Sequence, residues 1–223
     1  MQTGHVTNAC IAIWSCERSK KRTESVVFFQ VPETLRILRQ CAFEDIYYEH
    51  CAYFTPGSLS RLFAAAGFRE FDLTIEYDSQ YLTIEARPNP AGNAPAEAPT
   101  DDMEELRDLV ASFPTRMAAK MAVWRERLEG WRREGQRVVI WGSGSKAVSF
   151  LTSFGPYGEI SHAVDINPYR QGAFIPVTAQ AIVAPTDLRS INPDVVVVMN
   201  AIYEREIRES LAGLGLSPAI YSL

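Results

Sequence analysis

The sequence predicts an α/β protein whose C-terminal part folds as a parallel sheet flanked by helices. Three apolar runs are typical of buried parallel strands, and they cover residues 138–141, 160–164 and 194–199. The first run leads directly into the glycine turn Gly142-Ser143-Gly144-Ser145-Lys146, and a helical pattern follows it. The order strand, glycine turn, helix, strand favours a nucleotide-binding α/β unit.

The glycine turn is the strongest candidate for a binding site. Gly142, Gly144 and Ala147 fit the pattern G-x-G-x-x-G/A, and Asp165 follows about 20 residues later. Glycines let the backbone approach a ligand closely, and the amides that begin the next helix favour a phosphate. Lys146 can meet that phosphate as a point charge. The alternatives are a tight turn that serves packing alone and an ordinary solvated lysine.

The first quarter of the chain has weaker patterns. Residues 1–25 have no clean period, so we expect them to be irregular, with at most a short strand over 9–14. The apolar run 26–31 predicts a buried strand that Pro32 ends, and 33–40 predict a short helix.

A helix with a clear start precedes a hairpin. Thr55 fits the N-cap position, Pro56 fits the first helical position, and Gly67 ends the helix. Residues 71–77 and 80–86 alternate in character around a short turn, which predicts a β-hairpin.

A stretch rich in proline and alanine, residues 88–100, has the composition of a linker. It predicts a domain boundary between residues 26–87 and 101–223. One of the two aspartates after the linker can cap a long helix, which we expect Pro114 to kink or interrupt.

The C-terminal part continues with alternating elements. Asn167 is the first residue of a predicted turn. Ligands of parallel sheets bind beyond the carboxyl ends of the strands. That edge carries Asp165 and Asn167 after one strand, and Asn200 and Tyr203 after another. We predict helices over 147–154, 186–190 and 201–212, an extended segment over 172–177 and a last strand over 219–222.

Composition excludes several classes of function. The chain has 223 residues and a net charge of -5, which argues against a nucleic-acid binder with a broad basic surface. It has no apolar run of transmembrane length and no secretory signal pattern over residues 1–20, so we expect a cytoplasmic protein without a membrane partner. The four cysteines lack zinc spacing, so no metal is expected.

Six motifs, taken in order, resemble one enzyme family. They are Y-Y-E-H-C-A-Y-F-T-P-G-S-L, A-G-F, Q-Y-L-T-I-E-A-R-P, V-V-I-W-G-S-G-S-K, V-D-I-N-P with the pair Gln171-Gly172, and P-D-V-V-V-V-M-N-A-I-Y. Together they resemble the S-adenosylmethionine-dependent C-methyltransferases that act on nucleotide-linked (TDP) keto-deoxysugars. The resemblance begins at about residue 26 and runs to the C-terminus.

The resemblance implies a particular domain content. That family has an N-terminal zinc module, a central class I methyltransferase domain that binds S-adenosylmethionine, and a C-terminal Rossmann-like domain. The present chain resembles an incomplete piece of the central domain followed by the whole C-terminal domain. The zinc cysteines and the glycine motif that holds the cofactor are missing from the sequence, so the main cofactor site is expected to be absent. The implied protein is a truncated methyltransferase, inactive as an isolated chain.

The resemblance also implies roles for individual residues. His50 would be the base or proton shuttle beside the ketone of the sugar, Glu49 would orient it or bind a hydroxyl, and Tyr48 and Tyr53 would supply hydrogen bonds. The alternative is that Glu49-His50 is a polar pair within a loop of aromatic residues and has no catalytic role. The residues that would contact the nucleotide sugar are Gly142, Ser143, Gly144, Ser145, Lys146, Asp165, Asn167, Asn200 and Tyr203.

The sequence leaves two functions open, a truncated C-methyltransferase and a non-catalytic module that binds a nucleotide or nucleotide sugar. An NAD(P)-dependent enzyme would need a catalytic Tyr-Lys or Cys-His set, and none is convincing here. The strand at 26–31 and the hairpin lack the neighbours that the resemblance implies, so we expect self-association through incomplete sheet edges.

Overall fold

The computed structural model describes residues 26–88, 101–154 and 160–223. Contacts divide these residues into two compact units, which are described separately. Unit 1 contains the described residues up to Cys41 together with 47–115, and unit 2 contains 42–46 and 116–223. The predictions for residues 1–25 and for residues 89–100 of the linker stretch lie outside the described residues.

Unit 1 contains a three-stranded antiparallel sheet and two short helices, the second of which packs on the sheet. The strands are β1 (Val27–Pro32), β2 (Phe68–Glu76) and β3 (Tyr81–Pro88), in the order β1-β3-β2. The helices are α1 (Thr34–Gln40) and α2 (Pro56–Ala65). The predicted strand, helices and hairpin are therefore confirmed, although the hairpin turn is longer than expected and places Tyr77, Asp78 and Ser79 in the left-handed region.

One face of this sheet forms the core of unit 1. Leu82 and Ile84 of β3 are buried and pack with Leu59 and Phe63 of α2. The run 26–31 is not buried on both faces as expected, because Phe28 is 61% exposed on the opposite face of β1. The predicted start of α2 is confirmed, since the backbone N–H of Ser58 donates to Thr55 Oγ1 at 3.2 Å and Thr55 N–H donates to Ser58 Oγ at 2.8 Å.

Unit 2 is a five-stranded, wholly parallel sheet flanked by helices, so the predicted fold class is confirmed. Its strands are β4 (Val138–Trp141), β5 (Ile160–Val164), β6 (Ala181–Val183), β7 (Val195–Val198) and β8 (Ala219–Ser222), in the order β6-β5-β4-β7-β8. Its helices are the later part of α3 (Met103–Arg133), α4 (Ser145–Phe154), α5 (Leu188–Ile191) and α6 (Glu204–Gly213).

Alternate residues of the central strands supply two apolar cores. Val138 and Ile140 of β4 pack with α3 and α4, whereas Val139 and Trp141 pack with α5 and α6. All residues of β4 and β7 are buried, as expected for a parallel sheet that is covered on both faces.

Residues 42–46, which contain the short 3₁₀ helix Phe43–Asp45, belong to unit 2, although the chain on either side of them belongs to unit 1. The Phe43 side chain is 3% exposed and packs on α4, where its ring lies 5.7 Å from the ring of Phe154 and 6.3 Å from that of Phe150. The Ser149 hydroxyl donates to the Phe43 carbonyl at 3.4 Å. Unit 2 therefore includes a segment that lies far from it in the sequence.

The structure differs from the sequence predictions at three further places. Pro114 does not interrupt α3, and its exposed position lets the carbonyl that it leaves unpaired face water. Residues 172–177 form turns with one isolated bridge at Phe174 rather than an extended segment. Strand β6, with only three residues, was not predicted.

No helix within the described ranges combines the length and the apolar character that crossing a membrane requires. The expected self-association through sheet edges stays a prediction.

Candidate functional site

The glycine turn after β4 is closed by the backbone and by a neighbouring methionine. Gly142 has φ of +111°, and its N–H donates to the Val164 carbonyl at 2.8 Å. A Cβ at this position would lie 3.2 Å from Cβ of Met199, which follows β7. Both the backbone angle and the close approach therefore require glycine here.

Asp165, at the carboxyl end of β5, holds the turn from the side. Its Oδ2 accepts hydrogen bonds from the Ser143 N–H at 3.1 Å and from the Ser143 hydroxyl, and Arg170 Nη1 lies 3.4 Å away. Its Oδ1 accepts from the Asn167 N–H at 2.9 Å. Both carboxylate oxygens are thus committed to the protein itself.

These bonds set the charge state of Asp165. Burial raises the pKa of the carboxyl group, but the hydrogen bonds from Ser143 and Asn167, with Arg170 nearby, outweigh it, so the pKa of Asp165 lies below its ordinary value. The carboxylate is therefore ionised at neutral pH and fixes the start of the turn electrostatically.

Residues 167–172 form a tight loop beside Asp165. Asn167 Oδ1 accepts from the Tyr169 N–H at 3.0 Å, and the Gln171 side-chain amide donates to the Asp165 carbonyl at 2.9 Å. The Arg170 guanidinium thereby lies over the glycine turn, with Nη1 3.6 Å from where a Cβ of Gly144 would stand. Asn167 serves the loop in this structure, as an Asx-turn residue.

Lys146, on the first turn of α4, forms an ion pair. Its Nζ lies 3.1 Å from Oδ2 of Asp45, in the 3₁₀ helix of unit 2. The Asp45 side chain is 7% exposed and that of Lys146 is 20% exposed. The lysine charge is thus directed at a buried carboxylate.

The neighbouring Glu44 is also buried, and Lys120 Nζ lies 3.9 Å from its Oε2. Burial raises the pKa of Glu44, and Lys120 opposes that rise only in part. No hydrogen bond reaches its Oε2 from the described residues. The two adjacent acids therefore differ, since the cation beside Asp45 lies 3.1 Å away and the cation beside Glu44 lies 3.9 Å away.

The remaining candidates of unit 2 lie at the same edge of the sheet. Asn200 follows β7, and its Oδ1 accepts from the Ile202 N–H at 3.4 Å as a helix cap. Tyr203 is half exposed. Ser145 is the first residue of α4.

The candidates of unit 1 form a separate aromatic group. The Tyr47 hydroxyl lies 2.8 Å from Nε2 of His50, and the Tyr53 ring meets the His50 ring edge-on at 6.4 Å. The exposed Tyr48 instead donates to Glu49 Oε1 at 3.1 Å, and this bond raises the pKa of the Tyr48 phenol. The histidine thus has a phenol partner, but the partner is Tyr47.

Sequence reasoning missed three residues of these groups, namely Tyr47, Asp45 and Arg170. In the motif Y-Y-E-H both tyrosines look equivalent, so only the backbone decides which one meets His50. Arg170 does carry a signal, because it lies between the V-D-I-N-P motif and the Gln171-Gly172 pair.

Comparisons with known proteins agree with this architecture. A family model described as the C-methyltransferase C-terminal domain matches residues 97–216, which is more than half of the chain. The chain is also similar to the C-methyltransferase NovU of Streptomyces niveus, with 26% identity over 193 residues. That match covers 82% of this chain and 46% of the relative, so the chain spans less than half of the relative's length.

Proposed function

Because this chain belongs to the C-methyltransferase family, whose C-terminal domain it contains, we propose that it binds a nucleotide-linked keto-deoxysugar for methylation at carbon. The nucleotide diphosphate lies against the backbone of Gly142 to Ser145 in unit 2. The Glu49-His50 pair of unit 1 belongs to the reaction itself. The sugar class follows from the motif resemblance, and the C-methyl chemistry agrees with the name of the similar protein.

One observation carries the binding half of the proposal. The turn between β4 and α4 lies at the carboxyl edge of a parallel sheet, and Asp165 holds it through Ser143. A preorganised turn at this edge, followed by a helix of ten residues, is the arrangement by which such sheets bind phosphate groups.

The chemistry assigns a role to His50. Methylation beside a ketone requires removal of the α-proton, and an imidazole is suited to this because its ordinary pKa lies near neutrality. The hydrogen bond between the Tyr47 hydroxyl and Nε2 fixes the orientation of the His50 ring. If the hydroxyl donates this bond, the proton of the neutral imidazole is on Nδ1, and if Nε2 donates it, the proton is on Nε2. In this role His50 holds the abstracted proton, and Tyr47 orients the imidazole.

The family implies S-adenosylmethionine as the methyl donor, and the cofactor supplies an electrophilic methyl group when bound. The described residues of unit 1 do not fit it, because their three strands are antiparallel and no glycine turn there links a parallel strand to a helix. The glycine turn of unit 2 is assigned to the substrate.

A non-catalytic module that binds a nucleotide or nucleotide sugar is the second candidate. The observation that favours it is the same lack of fit between the described residues of unit 1 and the methyl donor. In this case unit 2 binds the nucleotide and His50 has no substrate proton to remove.

Calorimetric titration of the chain with thymidine diphosphate and, separately, with S-adenosylmethionine tests the proposal. Binding of thymidine diphosphate supports the nucleotide site, and its absence contradicts it. If both ligands bind, a methyl-transfer assay with His50→Gln follows, in which loss of transfer with unchanged nucleotide affinity supports the enzyme. If only the nucleotide binds, the chain by itself is a binding module that does not transfer a methyl group.

A further inference from the structure

The proposed function leaves open which cation of unit 2 meets the diphosphate. The sequence favours Lys146, because it is the last residue of the glycine turn. In the structure the Lys146 ammonium group lies 3.1 Å from the buried carboxylate of Asp45. An ion pair with a buried acid is costly to break, since it would leave that acid without its partner. Lys146 is therefore poorly placed to give its charge to a ligand.

Arg170 has the opposite surroundings. Its Nη1 lies 3.5 Å from the Ser143 hydroxyl, 3.4 Å from Asp165 Oδ2 and 3.6 Å from the position of a Cβ on Gly144. The guanidinium is thus held directly over the glycine turn. The Arg170 side chain is nevertheless 50% exposed, so it faces the solvent from which a ligand arrives.

The guanidinium keeps donors for a ligand. An arginine carries five N–H donors in a planar fork that matches two phosphate oxygens at once. Its side-chain contacts with the described residues all use Nη1. Among the described residues no group accepts a hydrogen bond from its Nη2 or Nε, so these donors remain for a ligand.

Asp165 is the residue that keeps Arg170 in place. Sequence reasoning allowed it to bind a hydroxyl of the ligand, but both of its carboxylate oxygens accept hydrogen bonds within the protein. The same oxygen, Oδ2, meets both the Ser143 N–H and the Arg170 guanidinium. One carboxylate thus fixes the backbone of the turn and the cation above it together.

From these contacts we propose that Arg170, held by Asp165 and Ser143, is the cation that binds the diphosphate of the nucleotide sugar, and that Lys146 is not. The inference rests on the proposed function, since it assumes that the diphosphate lies in the glycine turn. Asp165 acts as a positioning residue, and Arg170 determines the preference for a diphosphate over an uncharged nucleoside.

The test compares two probes on the full chain, thymidine diphosphate by calorimetry and thymidine by NMR. Arg170→Gln is expected to weaken binding of thymidine diphosphate by about tenfold or more, as for the loss of a charge-assisted hydrogen bond, and to leave thymidine binding unchanged. Arg170→Lys is expected to recover part of the loss. Arg205→Gln removes one exposed charge from the same unit and is the matched control, with affinity within about twofold of the wild type.

The double variant Lys146→Gln with Asp45→Asn removes the competing cation without leaving a buried acid unpaired. It is expected to weaken thymidine diphosphate binding less than Arg170→Gln does. The reverse order, or an Arg170→Gln variant with wild-type affinity, overturns this inference alone. An equal loss for both probes assigns Arg170 a purely structural role and also overturns it. A wild-type chain that binds neither probe overturns the proposed function as well.

Discussion

The hydroxyl of Tyr47 lies 2.8 Å from Nε2 of His50, and the centroids of the two rings are 4.1 Å apart. Tyr48, the next residue, bonds to Glu49 instead. Two adjacent tyrosines thus have different partners, although their place in the motif makes them look alike. Because the chain has only three histidines, the imidazole of His50 can be followed by NMR.

We expect Tyr47→Phe to shift the ¹⁵N resonance of His50 Nε2, because the hydrogen bond at that nitrogen is lost. Tyr48→Phe is the control and should leave the resonance in place, since its hydroxyl does not reach the imidazole. The two nitrogens can be assigned by long-range ¹H–¹⁵N correlation. Equal shifts in both variants would mean that Tyr47 is not the partner of His50.

The two glycines of the turn should respond differently to alanine. Gly142→Ala forces a side chain into a φ of +111° and brings its Cβ within 3.2 Å of Met199, so we expect a loss of about 2 kcal/mol or more of unfolding free energy. Gly144→Ala meets only ordinary contact with Arg170, at 3.6 Å, and should cost less than about 1 kcal/mol.

The binding of the two variants provides the second readout. The added methyl group of Gly144→Ala stands where the diphosphate is proposed to lie, so its affinity for thymidine diphosphate should fall by about tenfold with little loss of stability. Urea denaturation and calorimetry measure the two quantities. A Gly144→Ala variant that is as unstable as Gly142→Ala would contradict the assignment.

Asp165→Asn should destabilise unit 2 in a pH-dependent way. The pKa of Asp165 is lower in the folded chain than in the unfolded one, so its stabilisation is complete above the ordinary carboxyl pKa and is lost as the pH falls through the lowered folded pKa. At pH 7 we expect a loss of about 1–3 kcal/mol. The difference from the wild type should shrink below about pH 4.

Three tryptophans of unit 2, Trp124, Trp131 and Trp141, report its unfolding by fluorescence in urea. Glu209→Gln, an exposed change on α6, serves as the control. A gap between Asp165→Asn and the wild type that stays constant from pH 7 to pH 3 would show that the carboxylate is not the stabilising species.

Glu44→Gln should change the stability of the chain at pH 7 in the opposite direction to Asp165→Asn. Burial raises the pKa of Glu44, so the wild type loses stability as the pH rises through that raised value, and the glutamine variant does not. We expect the variant to be more stable at pH 7 by on the order of 1 kcal/mol, and the two chains to converge near pH 4. Thermal unfolding at both pH values measures the effect, and a less stable variant at pH 7 would refute it.

Breaking the ion pair between Lys146 and Asp45 should lower the folding stability, and a second substitution at Asp45 should recover part of that loss. Lys146→Met leaves the buried Asp45 carboxylate without this cation and should cost about 1–3 kcal/mol of stability. Adding Asp45→Asn should restore a large part of it, because the buried charge is then gone. The exposed pair Arg208–Glu204 is the comparison, and Arg208→Gln should cost less than about 1 kcal/mol.

Much of the fold follows from local patterns. The strands β4 and β7 are continuous apolar runs, and the start of α2 has both its threonine cap and its proline. Strand β6 escaped detection because three residues, Ala181 to Val183, are too short to show a period. Pro114 was expected to disrupt α3, but an exposed proline leaves its orphaned carbonyl in water, where the cost is small.

The sequence predicts the backbone of the candidate site well, but it does not predict which charged side chains contact one another there. The two glycines and Asp165 can be recognised from their spacing in the sequence. The partner of Lys146 is not, because Asp45 lies 101 residues away in the sequence and meets it only through folding. Arg170 likewise reaches Ser143 only because the loop after β5 turns back to the glycine turn.

The place of Phe43 in unit 2 has a consequence for how this unit can be inherited or engineered. The ring fills a position against α4 that residues 116–223 do not fill themselves. A gene fragment that begins after the proline-rich stretch would encode a sheet with a vacancy in its hydrophobic interior. Residues 116–223 are therefore not a self-sufficient unit for transfer, and any chimaera that borrows them must also carry, or replace, residues 42–46.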